Sequence, residues 1–287
     1  MAEENLSVYE RISNDYYTLT ASEKKVADFV MSYQQETQFL SISELAQSCD
    51  VAEATISRFC RRLGYKGYNL FKLAVANASV QQKSGNNPLS GQVEESDSLE
   101  DLSRKIYGAE VDALNQTMEL LNMNAVKHAA DLLEQARRVL CMGQGGSMII
   151  AEEASHLFST VCNKFTAVPD SHIQAMAAAS AGPEDLILFF SYSGSTKAMM
   201  HTLKQAQHRG VRVILVTRFP NSPGTVFADV VLQCGSNQNP LQSGSVPARI
   251  AQLYLLDVLF SEYCRRDLQG CRAFRTRIAD ALAEKHL

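Results

Sequence analysis

No apolar run in the 287 residues approaches the roughly 18 needed to cross a bilayer, so no transmembrane helix and no membrane partner is expected. The opening Met-Ala-Glu-Glu-Asn lacks the basic and apolar regions of a secretory signal, and a cytoplasmic location is expected. No C-x-x-C pair exists among the seven cysteines, Cys49, Cys60, Cys141, Cys162, Cys234, Cys264 and Cys271. Their odd number and wide scatter exclude a disulfide or zinc framework and fit reduced thiols. No metal and no cofactor is expected. The chain also lacks an internal repeat and an excess of positive charge, its formal net charge being −4. That balance argues mildly against nucleic acid until the distribution of charge is read.

The distribution is uneven. From Arg58 to Lys72 the chain carries Arg58, Arg61, Arg62, Lys66 and Lys72 and no acid. One local surface can therefore be basic on an acidic protein. With 46 % hydrophobic and 20 % charged residues, the composition is that of an ordinary globular chain, and its length favours two domains. Residues 1–78 read as helical by periodicity. Residues 79–98 are polar, hold two glycines and a proline, and read as a linker. Residues 99–287 begin with a helical stretch, Leu99 to Leu121, then alternate helix and strand. Five strands are expected, at 138–142, 165–168, 186–190, 211–216 and 230–233. The fold class expected is an all-α helix-turn-helix domain followed by an α/β domain, its mostly parallel five-stranded sheet flanked by helices.

In the first domain, Thr20 to Glu23 and Ser41 to Glu44 are capping boxes, each opening a helix. The second helix is short and ends near Cys49-Asp50. A turn follows, then a helix from about Ala52 to Leu63, stopped by Gly64. Short helix, turn and second helix make a helix-turn-helix. Val51 is an apolar plug in the turn, and Ile56, Phe59, Cys60 and Leu63 form the inward stripe. The start of such a second helix lies in the major groove, so Thr55, Ser57 and Arg58 are the candidates for base edges. Arg61, Arg62 and Lys66 are the candidates for phosphates, which add affinity but no sequence information. Double-stranded operator DNA is the expected partner.

The run from Ser41 to Gly67 resembles the N-terminal domain of the RpiR (MurR/RpiR) family of transcriptional regulators. The matching residues are Ile42, Glu44-Leu45-Ala46, Val51, Glu53 to Phe59, Arg61 to Tyr65, Gly67-Tyr68 and Leu73. Ala52 departs from the family, which usually has a capping Ser there; Asp50 stands just ahead as a substitute cap.

Two turns carry the chemistry of the second domain. Gly143-Gln144-Gly145-Gly146-Ser147 follows a strand and opens a helix, whose unpaired N–H groups suit an anion. A dinucleotide site would need a third glycine, and Met148 fills that place. Ser191-Tyr192-Ser193-Gly194-Ser195-Thr196 also joins a buried strand to a helix. Its four hydroxyls sit at a strand's carboxyl end, where ligands of open α/β sheets bind, and suit a phosphate without a fixed cation.

Both turns resemble those of the SIS (sugar isomerase) domain, over residues 124–265. That resemblance implies that Ser191, Ser193, Gly194, Ser195 and Thr196 hold the phosphate of a phosphorylated sugar. Gly145 and Ser147 would touch the sugar or its phosphate, and Ser245 belongs to the loop that closes the site. A helix-turn-helix joined to this domain is the RpiR architecture.

Catalysis is not expected. Sugar isomerisation needs a positioned base, and the helix after the last loop begins Arg249-Ile250-Ala251-Gln252, with no carboxylate before Asp257. Glu152, Glu153, His128 and His172 read as surface or packing residues. The alternative is a sugar-phosphate isomerase or lyase with an accessory helical domain. Two half-sites about 34 Å apart call for two heads, so a homodimer or homotetramer is expected.

Overall fold

A computed structural model describes residues 6–85, 95–235 and 246–283. The chain divides into two compact units, the first running to Ala109 and the second starting at Glu110.

The first unit opens with α1 (Val8–Asp15), a 3-10 turn (Tyr16–Thr18), α2 (Ala21–Ser32) and the short α3 (Gln34–Thr37). Then come α4 (Ile42–Ser48), α5 (Glu53–Arg62) and α6 (Tyr68–Gly85). The boxes at Thr20 and Ser41 are present as expected, and Ser7 with Glu10 forms a third. The helices close on one core in which Ile12, Val26, Leu45, Ile56, Phe59 and Phe71 are fully buried. The expected stripe of α5 thus faces inward, and Val51 packs against the same core. The helix α6 runs on through Gly85, past the expected domain end at 78.

Asp50 does not cap α5. It lies in the left-handed region at φ +51°. Its N–H donates to Gln47 O at 3.1 Å and that of Val51 to Ala46 O at 3.0 Å, which closes α4 in a Schellman motif. Its carboxylate pairs with Lys25 Nζ at 3.0 Å. Asp tolerates this conformation better than most residues, so the turn and not the next helix uses it.

The boundary between units falls within α7 (Leu99–Leu120). The second unit continues with α8 (Met123–Gln135), β1 (Arg138–Gly143), α9 (Gly146–Ser159), β2 (Phe165–Ala167) and α10 (Ser171–Ser180). It goes on through β3 (Asp185–Phe190), α11 (Lys197–His208), β4 (Arg212–Thr217), a 3-10 turn (Pro223–Phe227) and β5 (Val230–Gln233). Two helices end it, α12 (Val246–Arg266) and α13 (Leu268–Ala283).

The strands form one sheet in the order β2-β1-β3-β4-β5, and every described pair is parallel. All six residues of β3 are buried, as a central strand covered on both faces requires. One face packs on α8, α9 and α12 through Val139, Cys141, Phe158, Leu188 and Leu255. The other packs on α10 and α11 through Met142, Phe189, Met199 and Leu203. Asp185 anchors the amino edge of the sheet, bound by Arg137 at 3.0 Å and Arg138 at 3.1 Å. From β1 the chain turns outward to β2, then returns to the other side for β3. The carboxyl ends of β1 and β3 therefore flank the switch point, where open α/β sheets leave a crevice.

Candidate functional sites

On α5, Ala52 occupies the N-cap position and supplies no side-chain hydrogen bond. Glu53 instead accepts a hydrogen bond from the Ser43 hydroxyl, which ties the first turn of α5 to α4. Arg58, Arg61 and Lys66 are exposed and Ser57 is half-buried, so these four stand on or near the open face. Thr55 does not: it is 7 % exposed, and its Oγ1 accepts from Arg58 Nη2 at 3.3 Å. This corrects its expected placement at a base edge; its position on the inward side of the first turn makes it a brace for Arg58. Arg62 is exposed as well, and part of its guanidinium is already engaged. It donates to Thr18 O at 2.6 Å and pairs with Glu23 Oε2 at 3.3 Å, so it clasps α5 to α2. Burial works to raise the Glu23 pKa, but hydrogen bonds from Thr20 and the charges of Arg62 and Arg58 hold it below the ordinary carboxylate range.

In the second unit, Gly143 pairs with Phe190 across β1 and β3, so the two expected turns leave the sheet side by side. The first is very tight. A Cβ on Gly143 would come within 2.5 Å of Ser147 O. Gly145 takes φ +56° at the N-cap of α9, and Ser147 is half-buried in the first turn. The second turn is held by its own hydroxyls. Ser191 N–H extends the ladder to Val216 O at 2.9 Å, and its buried Oγ accepts from Gly194 N–H at 3.2 Å. Ser193 Oγ accepts from Ser195 N–H at 3.4 Å. Thr196 is exposed at the N-cap of α11 and caps nothing. Gly145, Ser147, Ser191, Ser193, Gly194, Ser195 and Thr196 are thus gathered at the carboxyl ends of two neighbouring strands. Ser245 lies outside the described residues.

Side chains cap α1, α2, α4, α8 and α10. No side chain caps α3, α5, α9 or α11; backbone turns still engage the Thr55 N–H of α5 and the Ser147 and Met148 N–H groups of α9, while the first N–H of α9 and those of α11 stay open. Such open ends attract anions.

Several residues that periodicity and motifs do not reveal support this crevice. Gln174, fully buried on α10, donates through Nε2 to Gly143 O and to Val168 O, both at 2.8 Å, and ties the ends of β1 and β2 together. Gly224 N–H donates to Gly194 O at 2.8 Å. A Cβ on Gly194, whose φ is +57°, would lie 2.6 Å from Ser222 Cβ. Arg218 follows β4 and is 5 % exposed; its N–H donates to Tyr192 O at 3.1 Å. A glutamine in an alanine-rich helix and a serine in a loop carry no motif, so only the tertiary contacts identify them. Among the described residues no group of three or more His, Cys, Asp or Glu could hold a metal ion, and no helix is long and apolar enough to cross a membrane. His128, His172 and Glu152 are exposed and Glu153 is half-buried.

A three-layer α/β unit with paired Gly and Ser turns, preceded by a helix-turn-helix, defines a class of DNA-binding regulators with a sugar-binding-type domain. Residues 6–82 match the family model of the helix-turn-helix domain, rpiR family, and residues 132–262 match the SIS domain. An HTH-type transcriptional regulator of Haemophilus influenzae is 31 % identical over 256 residues, 89 % of each chain. The structure of Vibrio vulnificus NanR complexed with ManNAc-6P is similar at TM-score 0.63 and 25 % identity, over 98 % of this chain and 99 % of that one. The sugar isomerase domain of an RpiR transcription factor from Sphaerobacter thermophilus has the same fold, at TM-score 0.57 and 20 % identity over 62 % of this chain and 98 % of that one. The chain belongs to the rpiR family of helix-turn-helix transcriptional regulators that carry a SIS domain.

Proposed function

We propose that this regulator binds operator DNA through the exposed face of α5 and that a phosphorylated sugar, held at the second turn, changes that binding. The observation that carries the reading is the pair of uncapped helix starts, α9 and α11, side by side at the switch point of the sheet. Ser191 shapes the turn, while Ser193, Ser195 and Thr196 offer hydroxyl donors beside the open N–H groups of α11. Gly145 and Ser147 face the rest of the sugar, with Ser245 on the closing loop. On the DNA side, Arg58, braced by Thr55, reads a base with Ser57 beside it. Arg61 and Lys66 contact phosphates. Arg62 contributes to the field while its hydrogen bonds hold α2.

The ligand is sensed without turnover. The first turns of α12 carry Arg249 and Gln252 and no carboxylate, so no side chain there can take a proton from a sugar carbon. Two heads on paired half-sites require a dimer or tetramer. By linkage, the sugar must bind the DNA-bound and free forms with different affinity.

The test is a gel-shift titration on the upstream region of the gene, with and without hexose and amino-sugar phosphates. The double change Ser193→Ala and Thr196→Ala is expected to remove the sugar's effect and keep basal DNA binding. Loss of basal binding by a folded variant, or an unaltered sugar response, would overturn the division of labour. A coupled isomerase assay that showed turnover would overturn the sensing role.

A further inference from the structure

Beside the first turn, two buried nitrogen donors have no acceptor. Gln144 Nε2 lies in that turn, and Arg249 Nε belongs to the first turn of α12; both are shielded from solvent and unpaired. They are neighbours of one residue. Gln144 stands two places before Gly146, and a Cβ on Gly146 would lie 3.9 Å from Arg249 Cδ. No ion pair involves Arg249 among the described residues; the same holds for exposed arginines such as Arg272 and Arg277, but Arg249 Nε is shielded from solvent. Gln252, one turn further along α12, is 2 % exposed, and its Oε1 is unpaired too.

Buried donors are rarely left unmet, because each then loses its bond to water without replacement. Here one of the two donors belongs to a permanent cation. The matching group is an acceptor with negative charge, and a guanidinium holds a carboxylate better than a hydroxyl. Paired strands lie about 4.8 Å apart, so the turns after β1 and β3 fall within the span of one six-carbon ligand.

We propose that Gln144 and Arg249 form a carboxylate subsite and that the effector is a phosphorylated sugar acid. Its phosphate rests on the Ser191–Thr196 turn and its carboxylate on Arg249, with Gln144 Nε2 donating to the same group. Gln252 Oε1 accepts from a hydroxyl of the ligand. This assignment rests on the phosphosugar reading above and adds a second point of charge recognition to it.

The test is calorimetric titration of the full chain with matched pairs of hexose 6-phosphates and 6-phosphoaldonates, such as glucose 6-phosphate and 6-phosphogluconate. At least one acid is expected to bind roughly tenfold or more tighter than its neutral-headed counterpart, the scale of a charge-assisted hydrogen bond. Arg249→Met is expected to erase that gap and leave the affinity for the hexose 6-phosphate unchanged. Gln144→Ala, outside α12, narrows the gap and serves if the first variant fails to fold. Equal affinity for both members of every pair in the wild-type protein, or a gap that survives both substitutions, overturns the subsite. If no member of any pair binds, or if binding ignores Ser193→Ala with Thr196→Ala, the phosphate turn itself is wrong and both readings fall.

Discussion

The two units present the groups proposed to bind their ligands in different ways. In the first, the groups stand on a helix surface: Arg58, Arg61 and Lys66 project from α5 and its following turn, and the core behind them is a separate set of residues. In the second, the groups are backbone and hydroxyls of two turns whose shape depends on contacts from three other segments. Gly143 is held by Gln174, Gly194 by Ser222 and Gly224, and Ser191 by Val216. A helix face tolerates change one residue at a time. An interlocked turn loses its function when any support is removed. The contrast explains why substitutions should act locally on α5 and collectively at the sheet's edge.

The sharpest test of that contrast is Gly194→Ala. The left-handed φ of +57° and the clash with Ser222 both oppose a Cβ, and a loss of about 3 kcal/mol is expected. Denaturant melts of the full chain would read it, and the sugar response should vanish with it. A variant that kept its response would show the turn to be as forgiving as a helix face. Arg58→Ala comes next. It should cost about 1–3 kcal/mol of operator discrimination, while Arg61→Ala should weaken all sequences alike and lower the salt slope by about 1. Equal effects on specific and random DNA would remove the distinction between the two arginines.

Glu23→Gln probes whether the basic surface depends on its support. The change weakens the clasp to Arg62 and is expected to cost about 1 kcal/mol. Because the folded pKa of Glu23 is depressed, its contribution is present above the ordinary carboxylate value and is lost as pH falls through the folded one. Asp185 follows the same sign: burial would raise its pKa, but the Gly182 N–H, Arg138 and Arg137 hold it low. Melts from neutral to acid pH should therefore show a smaller acid loss in the Glu23→Gln variant. The smallest effect is a gain. Ala52→Ser restores a cap to α5 and should add up to about 1 kcal/mol to the first unit. No gain in melting temperature would mean that solvent and the bond from Thr55 N–H to Ala52 O already satisfy that end.

Much of this was legible beforehand because the signals are local. Capping boxes at Thr20 and Ser41 read directly, since four consecutive residues suffice to form each. The strands at 186–190 and 211–216 read as apolar runs because parallel strands are buried on both faces. Other readings failed for one shared reason. Asp50 was assigned to the following helix, yet its φ is set by the end of α4. Thr55 falls off the inward stripe by helix position, yet the core buries it. The helix α6 reaches Gly85, past the expected end at 78, because Gln81-Gln82-Lys83 favour a helix although they carry no apolar periodicity.

Composition and spacing alone determined that this chain folds as two units, one all helical and one with a buried parallel sheet, and which two turns carry the hydroxyls and glycines. Periodicity and capping depend on neighbours within one helical turn, so they are written in sequence. The tertiary structure decided which of those residues face outward, which cations are already engaged, and which silent side chains hold the turns in shape. Those outcomes depend on partners tens of residues away, such as Gln174 against Gly143 and Arg249 beside Gly146, and no local pattern encodes such a distance.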